Sequence, residues 1–427
     1  MKKISYVVIS ILLSFFVLVS CTKNKAEEEF PTIHAREIEL AGDVALGSFI
    51  NEILEGASYE EADDFDENNP MSASRAFVYL SDGTSTITDE NGLTYDRTSA
   101  DVSGNTVIIQ RGGTYEIGGE LSNGQIIVGT DDLTQLVFVG ASIHSESAPA
   151  IEMYGKGKKI LTLAEGSENS FSDGDKRVDP TKDAVIFSEN TVTINGSGKM
   201  TISSRYKNGI TAGAIKLLNC KISVPECKSK AIQSHNYCYV KFAALDLVSQ
   251  DDGMYCLQSA AFVRSKITFF GGGITARDVI LDGTKADVKS DKDGLNATRL
   301  VSVSDSEVLI EAKNDGVVSY GEEGVARLIG SDFTISDGDD GIKSDYLSVA
   351  SGTLFCAGMG AQINVGKQIE SYVSPKEVFI EEGIKSGVSV IFGRTSVTLE
   401  RECRFLVYVG TEWEKLNVGE TSLRVEI

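Results

Sequence analysis

Proline is scarce in this chain, with 6 in 427 residues, and histidine scarcer, with 3. So little proline excludes a linker-dominated or low-complexity protein. The histidines, His34, His144 and His235, are scattered, and no C-x-x-C pair accompanies them. A zinc-type constellation is therefore excluded. Basic residues are also short, 40 against 62 acidic ones, for a formal charge of −22. Such a surface repels nucleic-acid phosphate and anionic headgroups, and suits solubility, cations or a neutral ligand. Helix-period segments are few, and no apolar run beyond Val19 reaches the length of a membrane span.

What the chain does have is glycine, 42 of them, between short Val/Ile/Thr/Phe runs bounded by Gly, Asn, Asp and Ser. That texture is all-β. Between Asn208 and Asp345 one phrase recurs: Asn208-Gly209-Ile210, Asp252-Gly253-Met254, Asp293-Gly294-Leu295, Asp315-Gly316-Val317 and Asp340-Gly341-Ile342. Lys230-Ala231-Ile232 is a degenerate copy, and Gly273-Ile274 fills the long gap after Gly253. The common step is 22 residues. A repeat of that length built from strands, without helices, predicts a parallel β-helix.

A second strand follows each phrase. Cys220 to Val224, Ser265 to Phe269, Ser306 to Ile310 and Ser331 to Ile335 align, with alternate residues apolar or small. One face of each is therefore buried. In the opening phrase the residue two after the Asp position faces inward. So does the next but one: Ala212, Ser234, Cys256, Ala297, Ser319 and Ser344. Thr211, Gln233, Tyr255, Asn296, Val318 and Lys343 lie between them and face outward. Apart from Cys21 the cysteines are Cys220, Cys227, Cys238, Cys256, Cys356 and Cys403. They read as small apolar fillers in strands, although an exported chain could pair them.

The ends differ. Met1-Lys2-Lys3 precedes an apolar run to Val19, which is the form of a signal peptide. Leu18-Val19-Ser20-Cys21 resembles the bacterial lipobox, so residues 1–20 are expected to be removed and Cys21 lipidated. The expected location is the bacterial outer membrane or cell surface, held by lipid alone. Residues 21–75 read as a tether and linker. Within them Asp43 to Glu55 has the pattern of a short helix, with Leu46, Phe49, Ile50 and Leu54 on one side. Tyr59 to Asn69 is acidic and reads as solvated linker. Residues 76–360 are assigned to the β-helix and 361–427 to a β-rich C-terminal cap. A monomer is expected.

Asp-Gly has an ordinary explanation: Asp bonds nearby backbone in a turn and Gly supplies a positive φ. A column of aspartates is different, because carboxylates stacked at coil spacing repel one another and call for a cation. Calcium takes about six to eight oxygens and fits between coils. The expected ligands are Asp251, Asp252, Asp291 and Asp293 at one end and Asp315, Asp339 and Asp340 at the other.

The order of motifs carries a resemblance. It runs from Ile126-Ile127-Val128 through Pro149-Ala150-Ile151 to Leu161-Thr162-Leu163-Ala164-Glu165-Gly166-Ser167-Glu168-Asn169-Ser170-Phe171-Ser172-Asp173-Gly174. Asp183-Ala184-Val185-Ile186-Phe187-Ser188 and Asn195-Gly196-Ser197-Gly198 follow, and then the Asp-Gly-Ile coils. Over about Val102 to Gly360 this resembles the bacterial carbohydrate-binding-domain proteins, relatives of pectate lyases. The resemblance implies a right-handed parallel β-helix, calcium between coils and a polysaccharide ligand, including acidic plant glycans. It does not imply catalysis. The alternatives are a calcium-dependent pectate-type lyase and a structural or adhesive surface protein. Were it a lyase, Lys343 is the candidate base, with Lys289, Lys292 and Arg264 behind it. Tyr255, Tyr320 and Tyr346 are candidate platforms for sugar rings.

Overall fold

A computed structural model describes residues 75–348, apart from residues 95, 322, 323 and 337. Beyond them it describes the strand Ile342–Cys356 to its end and the strands Thr32–His34, Arg36–Glu37, Ile363–Ser371, Glu377–Phe379, Ser389–Phe392, Thr395–Thr398 and Arg424–Glu426. The leader, Cys21, the 43–55 segment and Cys403 lie outside the described residues. No helix occurs among the described residues, and so none is long and apolar enough to cross a membrane.

The chain winds as a parallel β-solenoid of about 11 turns with a period of about 22 residues. Each turn contributes one strand to each of three parallel sheets. The first sheet stacks Gln125–Gly129, Ile151–Tyr154, Ala184–Ser188, Asn208–Ala212, Ile232–Ser234 and Met254–Cys256, then the starts of Ile274–Asp282 and Leu295–Ser304, then Val317–Ser319 and the start of Ile342–Cys356. The second runs through Lys159–Leu163, Thr191–Asn195, Ala214–Leu218, Tyr237–Lys241 and Ser259–Val263. The third runs through Glu168–Asp173, Lys199–Ser204, Lys221–Cys227, Ala244–Val248 and Lys266–Gly271.

The register joins the repeated phrases. Ile210 pairs with Ile232, Ile232 with Met254, Met254 with Ile274, Ile274 with Leu295, Leu295 with Val317 and Val317 with Ile342. The degenerate copy at Ile232 and the copy at Ile274 are therefore true coils. All seven side chains are fully buried, as are Ala212, Ser234, Cys256, Ala297, Ser319 and Ser344 in the next inward column. Cys220, Cys227, Cys238 and Cys256 are buried free thiols, in keeping with their reading as fillers.

Between the second and third sheets each coil turns through one residue in the left-handed region. This corner is Asn219 (φ 50°), Phe242 (52°), Arg264 (46°), Gly283 (56°), Asp305 (47°) and Gly330 (58°). A side chain there costs about 1 kcal/mol or more. The next residue offsets the strain with a hydroxyl ladder. Ser265, Thr284, Ser306 and Ser331 each donate to a carbonyl two residues back, on Val263, Asp282, Ser304 and Ile329. Each also accepts an N–H from the preceding coil: Ala243 to Ser265 at 3.2 Å, Ser265 to Thr284 at 3.4 Å, Thr284 to Ser306 at 3.0 Å and Ser306 to Ser331 at 3.2 Å. The amides of Ala243, Ser265, Thr284 and Ser306 are paired in this way.

Candidate functional site: the aspartate ladder and the open face of the first sheet

The Asp-Gly phrase opens a strand and is not a turn. Gly253, Gly294 and Gly316 are absent from the residues with positive φ. Glycine is required there by close approach. A Cβ on Gly316 would stand 2.3 Å from Ile335 Cγ2 and 2.7 Å from the Gly341 carbonyl oxygen. One on Gly294 would meet Ile310 Cγ2 at 2.4 Å and the Gly316 oxygen at 2.6 Å. The amides explain the packing: Gly294 N–H donates to Asp315 O at 3.0 Å and Gly316 N–H to Asp340 O at 2.9 Å.

The aspartates bond between coils. Asp293 Oδ1 accepts the Asp315 N–H at 3.2 Å, and Asp315 Oδ1 accepts the Asp340 N–H at 2.9 Å. Their second oxygens take side-chain donors. Asn296 donates to Asp293 Oδ2 at 2.8 Å, Lys343 to Asp315 Oδ2 at 3.2 Å and Asn364 to Asp340 Oδ2 at 2.7 Å. At the other end Thr275 donates to Asp252 Oδ1 at 3.0 Å. Asp251 is held by Lys230 at 2.5 Å and by Lys292 on its other oxygen. Asp291 pairs with Lys313 at 2.5 Å on the exposed surface, and Asp339 is exposed.

This arrangement does not fit a calcium ion shared by carboxylates of neighbouring coils. Among the described residues no three His, Cys, Asp or Glu side chains converge closely enough to hold a metal. Both oxygens of Asp251, Asp293 and Asp315 already accept from backbone amides, an amide side chain or ammonium groups. Lys343, Lys230 and Lys292 bring positive charge to these carboxylates from one or two coils away.

Electrostatics follow the geometry. Burial raises the pKa of Asp252, reinforced by the neighbouring Asp251 charge. Burial likewise raises that of Asp293, opposed by its bond from the Asp315 amide. Burial also opposes ionisation of Asp251, but Lys230 and Lys292 outweigh it and hold that carboxyl below its usual range. The bond to Asp315 raises the pKa of Lys343. A lyase base needs the reverse shift. Lys292 is raised by Asp251 and Lys289 by Glu311, while Arg264 occupies a left-handed corner.

Beside the ladder runs the outward column of the first sheet. Gln233, Tyr255, Thr275 and Asn296 are paired in register on successive coils and partly exposed. Lys230 Nζ sits 5.5 Å from the centre of the Tyr255 ring. Tyr320, at the edge of this face, is 56% exposed, whereas Tyr346 is half-buried. Strands are spaced about 4.8 Å apart, close to the length of one pyranose unit. The column is a row of hydrogen-bonding groups and an aromatic ring at that spacing.

The polar segment from Asp175 to Lys182 packs beside the N-terminal part of this face. Arg177, its side chain fully buried, donates to Asp173 at 2.5 Å and to the Ala184 carbonyl at 3.2 Å, and lies 4.9 Å from the Tyr206 ring. Lys182 Nζ stands between Tyr154 and Phe187, 4.5 and 4.6 Å from the ring centres. No spacing rule would have found these pairs, since each joins residues from different coils or from outside the repeat.

Parallel coils, a buried aliphatic stack and a ladder-flanked polar face define a β-solenoid whose outer sheet presents regularly spaced polar groups. The chain belongs to the carbohydrate-binding domain-containing protein family, whose pattern it matches over residues 103–277 and 263–403. A protein of that description from Acetivibrio thermocellus is 30% identical over 131 residues, 29% of this chain and 46% of the relative. The match therefore spans about half the length of that relative. The solved structure of a polysaccharide lyase-like protein from C. thermocellum, a gadolinium derivative, aligns with 64% of this chain and 91% of its own, at 20% identity and a TM-score of 0.35.

Proposed function

We propose that the outer face of the first sheet, between Lys182 and Lys343, binds a neutral polysaccharide along the solenoid axis. The in-register column Gln233, Tyr255, Thr275 and Asn296 carries this reading. Family membership supports a carbohydrate ligand. The charge of −22 and the pairing of Lys230, Lys292 and Lys343 with aspartates disfavour a polyanion. Affinity electrophoresis through a panel of neutral and acidic polysaccharides tests the reading. Retardation by a neutral glycan is expected, weakened about tenfold in Tyr255→Ala, the loss of about 1.4 kcal/mol of ring contact. Retardation by acidic glycans alone, or unsaturated product released from polygalacturonate, counts against it.

Binding on this reading needs no calcium, and the pairing of Lys230, Lys292 and Lys343 with ladder carboxylates supports this. Chelator should leave both affinity and melting temperature unchanged, and a fall in either would restore calcium to the ladder. Lipid anchoring at Cys21 is part of the same proposal, and rests on the lipobox-like Leu18-Val19-Ser20-Cys21. Labelling with a fatty-acid analogue, lost in Cys21→Ser, tests it.

A further inference from the structure

The strand Thr134–Ser145 belongs to two sheets. Thr134 to Phe138 pair with Lys159–Leu163 in the second, and Ser142 to Ser145 pair with Glu168–Asp173 in the third. Between these stretches the chain bends at Gly140, whose φ is 99°. One coil earlier Gly119 bends the strand Gly113–Leu121 in the same way, at φ 98°. That conformation favours glycine. A Cβ on Gly119 would also stand 2.3 Å from the Leu80 carbonyl oxygen, whereas one on Gly140 would meet nothing within 4 Å. The two bends leave a floor of bare backbone, with Gly140 exposed and Gly119 partly so.

Against this floor lies a cleft of about 570 Å³, within the ~300–1,000 Å³ of small-molecule sites. Tyr79, from the neighbouring strand Arg75–Leu80, lines it and is 63% exposed. Apart from Leu80, whose side chain is buried, the remaining side chains are polar: Ser81, Asp82, Glu120 and Ser142. Glu120 and Ser142 are paired in register on neighbouring coils. Neither side chain makes a hydrogen bond or ion pair among the described residues. Asp82, by contrast, is held in place. Its Oδ1 accepts from Asn105 at 3.1 Å and from the Ser122 N–H at 3.0 Å, and its Oδ2 accepts from the Ser122 hydroxyl. Ser81 Oγ accepts from the Thr84 hydroxyl at 2.9 Å, which leaves its own proton to donate.

The chemistry of the lining narrows the ligand. Its charges are two carboxylates, so an anion is repelled. Tyr79 is its one exposed apolar group, too little for a largely hydrophobic ligand. Both oxygens of Asp82 are engaged, which leaves a metal ion Glu120 alone, short of the several oxygens it requires. A pyranose meets what the cleft offers: a C–H face for the ring, and adjacent hydroxyls for a free carboxylate and the serines. We propose that this cleft is a second carbohydrate site, at the bend between the second and third sheets, taking a single neutral pyranose unit with Tyr79 as platform and Glu120 and Ser142 as hydrogen-bonding partners. The site lies off the first sheet and is independent of the polysaccharide reading there.

Saturation-transfer NMR of the full chain with methyl glucoside, methyl galactoside and methyl mannoside tests it. At least one should bind in the millimolar range, with saturation strongest on the C–H protons of one ring face. Its affinity should fall at least about fivefold in Tyr79→Ala and in Glu120→Ala, and stay unchanged in Tyr255→Ala, which reports on the first sheet alone. No binding of any of the three overturns the proposal, as does unchanged affinity in a Tyr79→Ala variant with native circular dichroism. Binding of methyl glucuronide alone, or binding abolished by chelator, overturns it as well. Tyr79 is mostly exposed, so its truncation spares the core; if that variant does not fold, Glu120→Ala decides. The two sites fail separately: glycoside binding without retardation by any polysaccharide keeps the cleft, and retardation without glycoside binding keeps only the first sheet.

Discussion

Lys343 Nζ lies 3.2 Å from Asp315 Oδ2, reaching back one coil to a carboxylate whose other oxygen already holds the Asp340 amide. The lysine thus neutralises a position where the like charges of Asp293, Asp315 and Asp340 would otherwise meet. Lys343→Ala should lower stability by about 1–3 kcal/mol, since a mostly buried carboxylate loses its charged donor. Denaturant midpoints measure this. The variant's melting temperature should also respond more to calcium than that of the unsubstituted chain.

The two raised carboxyls predict a pH dependence. Asp252 and Asp293 bind protons more readily folded than unfolded, where the ordinary value is near 3.8. Their ionisation therefore works against the fold at neutral pH. Stability should rise as pH falls through their folded pKa values and level off below the unfolded one. Asp251 acts the other way: its contribution is present above 3.8 and is lost as pH falls through its lowered folded value. Urea unfolding from pH 7 down to the acid range should show a rise that Asp252→Asn with Asp293→Asn removes.

Close approach at the ladder glycines sets a steric test. Gly316→Ala should cost about 1–3 kcal/mol, because Ile335 and the Gly341 carbonyl leave no room for a methyl group. Gly129, at the end of Gln125–Gly129, has no atom within 4 Å of a built Cβ and no positive φ. Gly129→Ala should be neutral or stabilising by up to about 1 kcal/mol. Equal losses at the two sites would refute the close-packing account.

The hydroxyl ladder makes a further prediction. Ser306→Ala removes the acceptor of the buried Thr284 N–H, 3.0 Å away. A loss of about 1–3 kcal/mol is expected. Ser306→Thr should retain most of the stability, as Thr284 does naturally at the equivalent corner. Thermal unfolding of the two variants separates loss of the acceptor from loss of volume.

The solenoid was legible because its period is long and its inward columns are uniform: Ile210 to Ile342 and Ala212 to Ser344 fall where alternation places them. The register through Ile232 and Ile274 followed from spacing even where Asp and Gly were missing. The roles of Asp and Gly were not legible. Asp-Gly in one dimension is a turn signature, and only stacking shows that Asp315 bonds the amide of Asp340 and that Gly316 makes room for Ile335. Long side chains such as Lys343 and Lys292 choose partners across coils, which no linear pattern records. The left-handed corners at Phe242 and Arg264 were equally hidden, because neither residue type marks that conformation.

The hydroxyl and aspartate ladders join each coil to the coils on either side, so their cohesion is a series of nearest-neighbour links, which Lys292 supplements by reaching two coils back to Asp251. The phrase of Lys230, Ala231 and Ile232 has neither Asp nor Gly, and Asn208 Oδ1 accepts the Lys230 amide at 3.2 Å in place of a carboxylate. It is a seam. Under tension along the axis the stack would shed coils one by one, and this seam sets where a partly peeled molecule comes to rest.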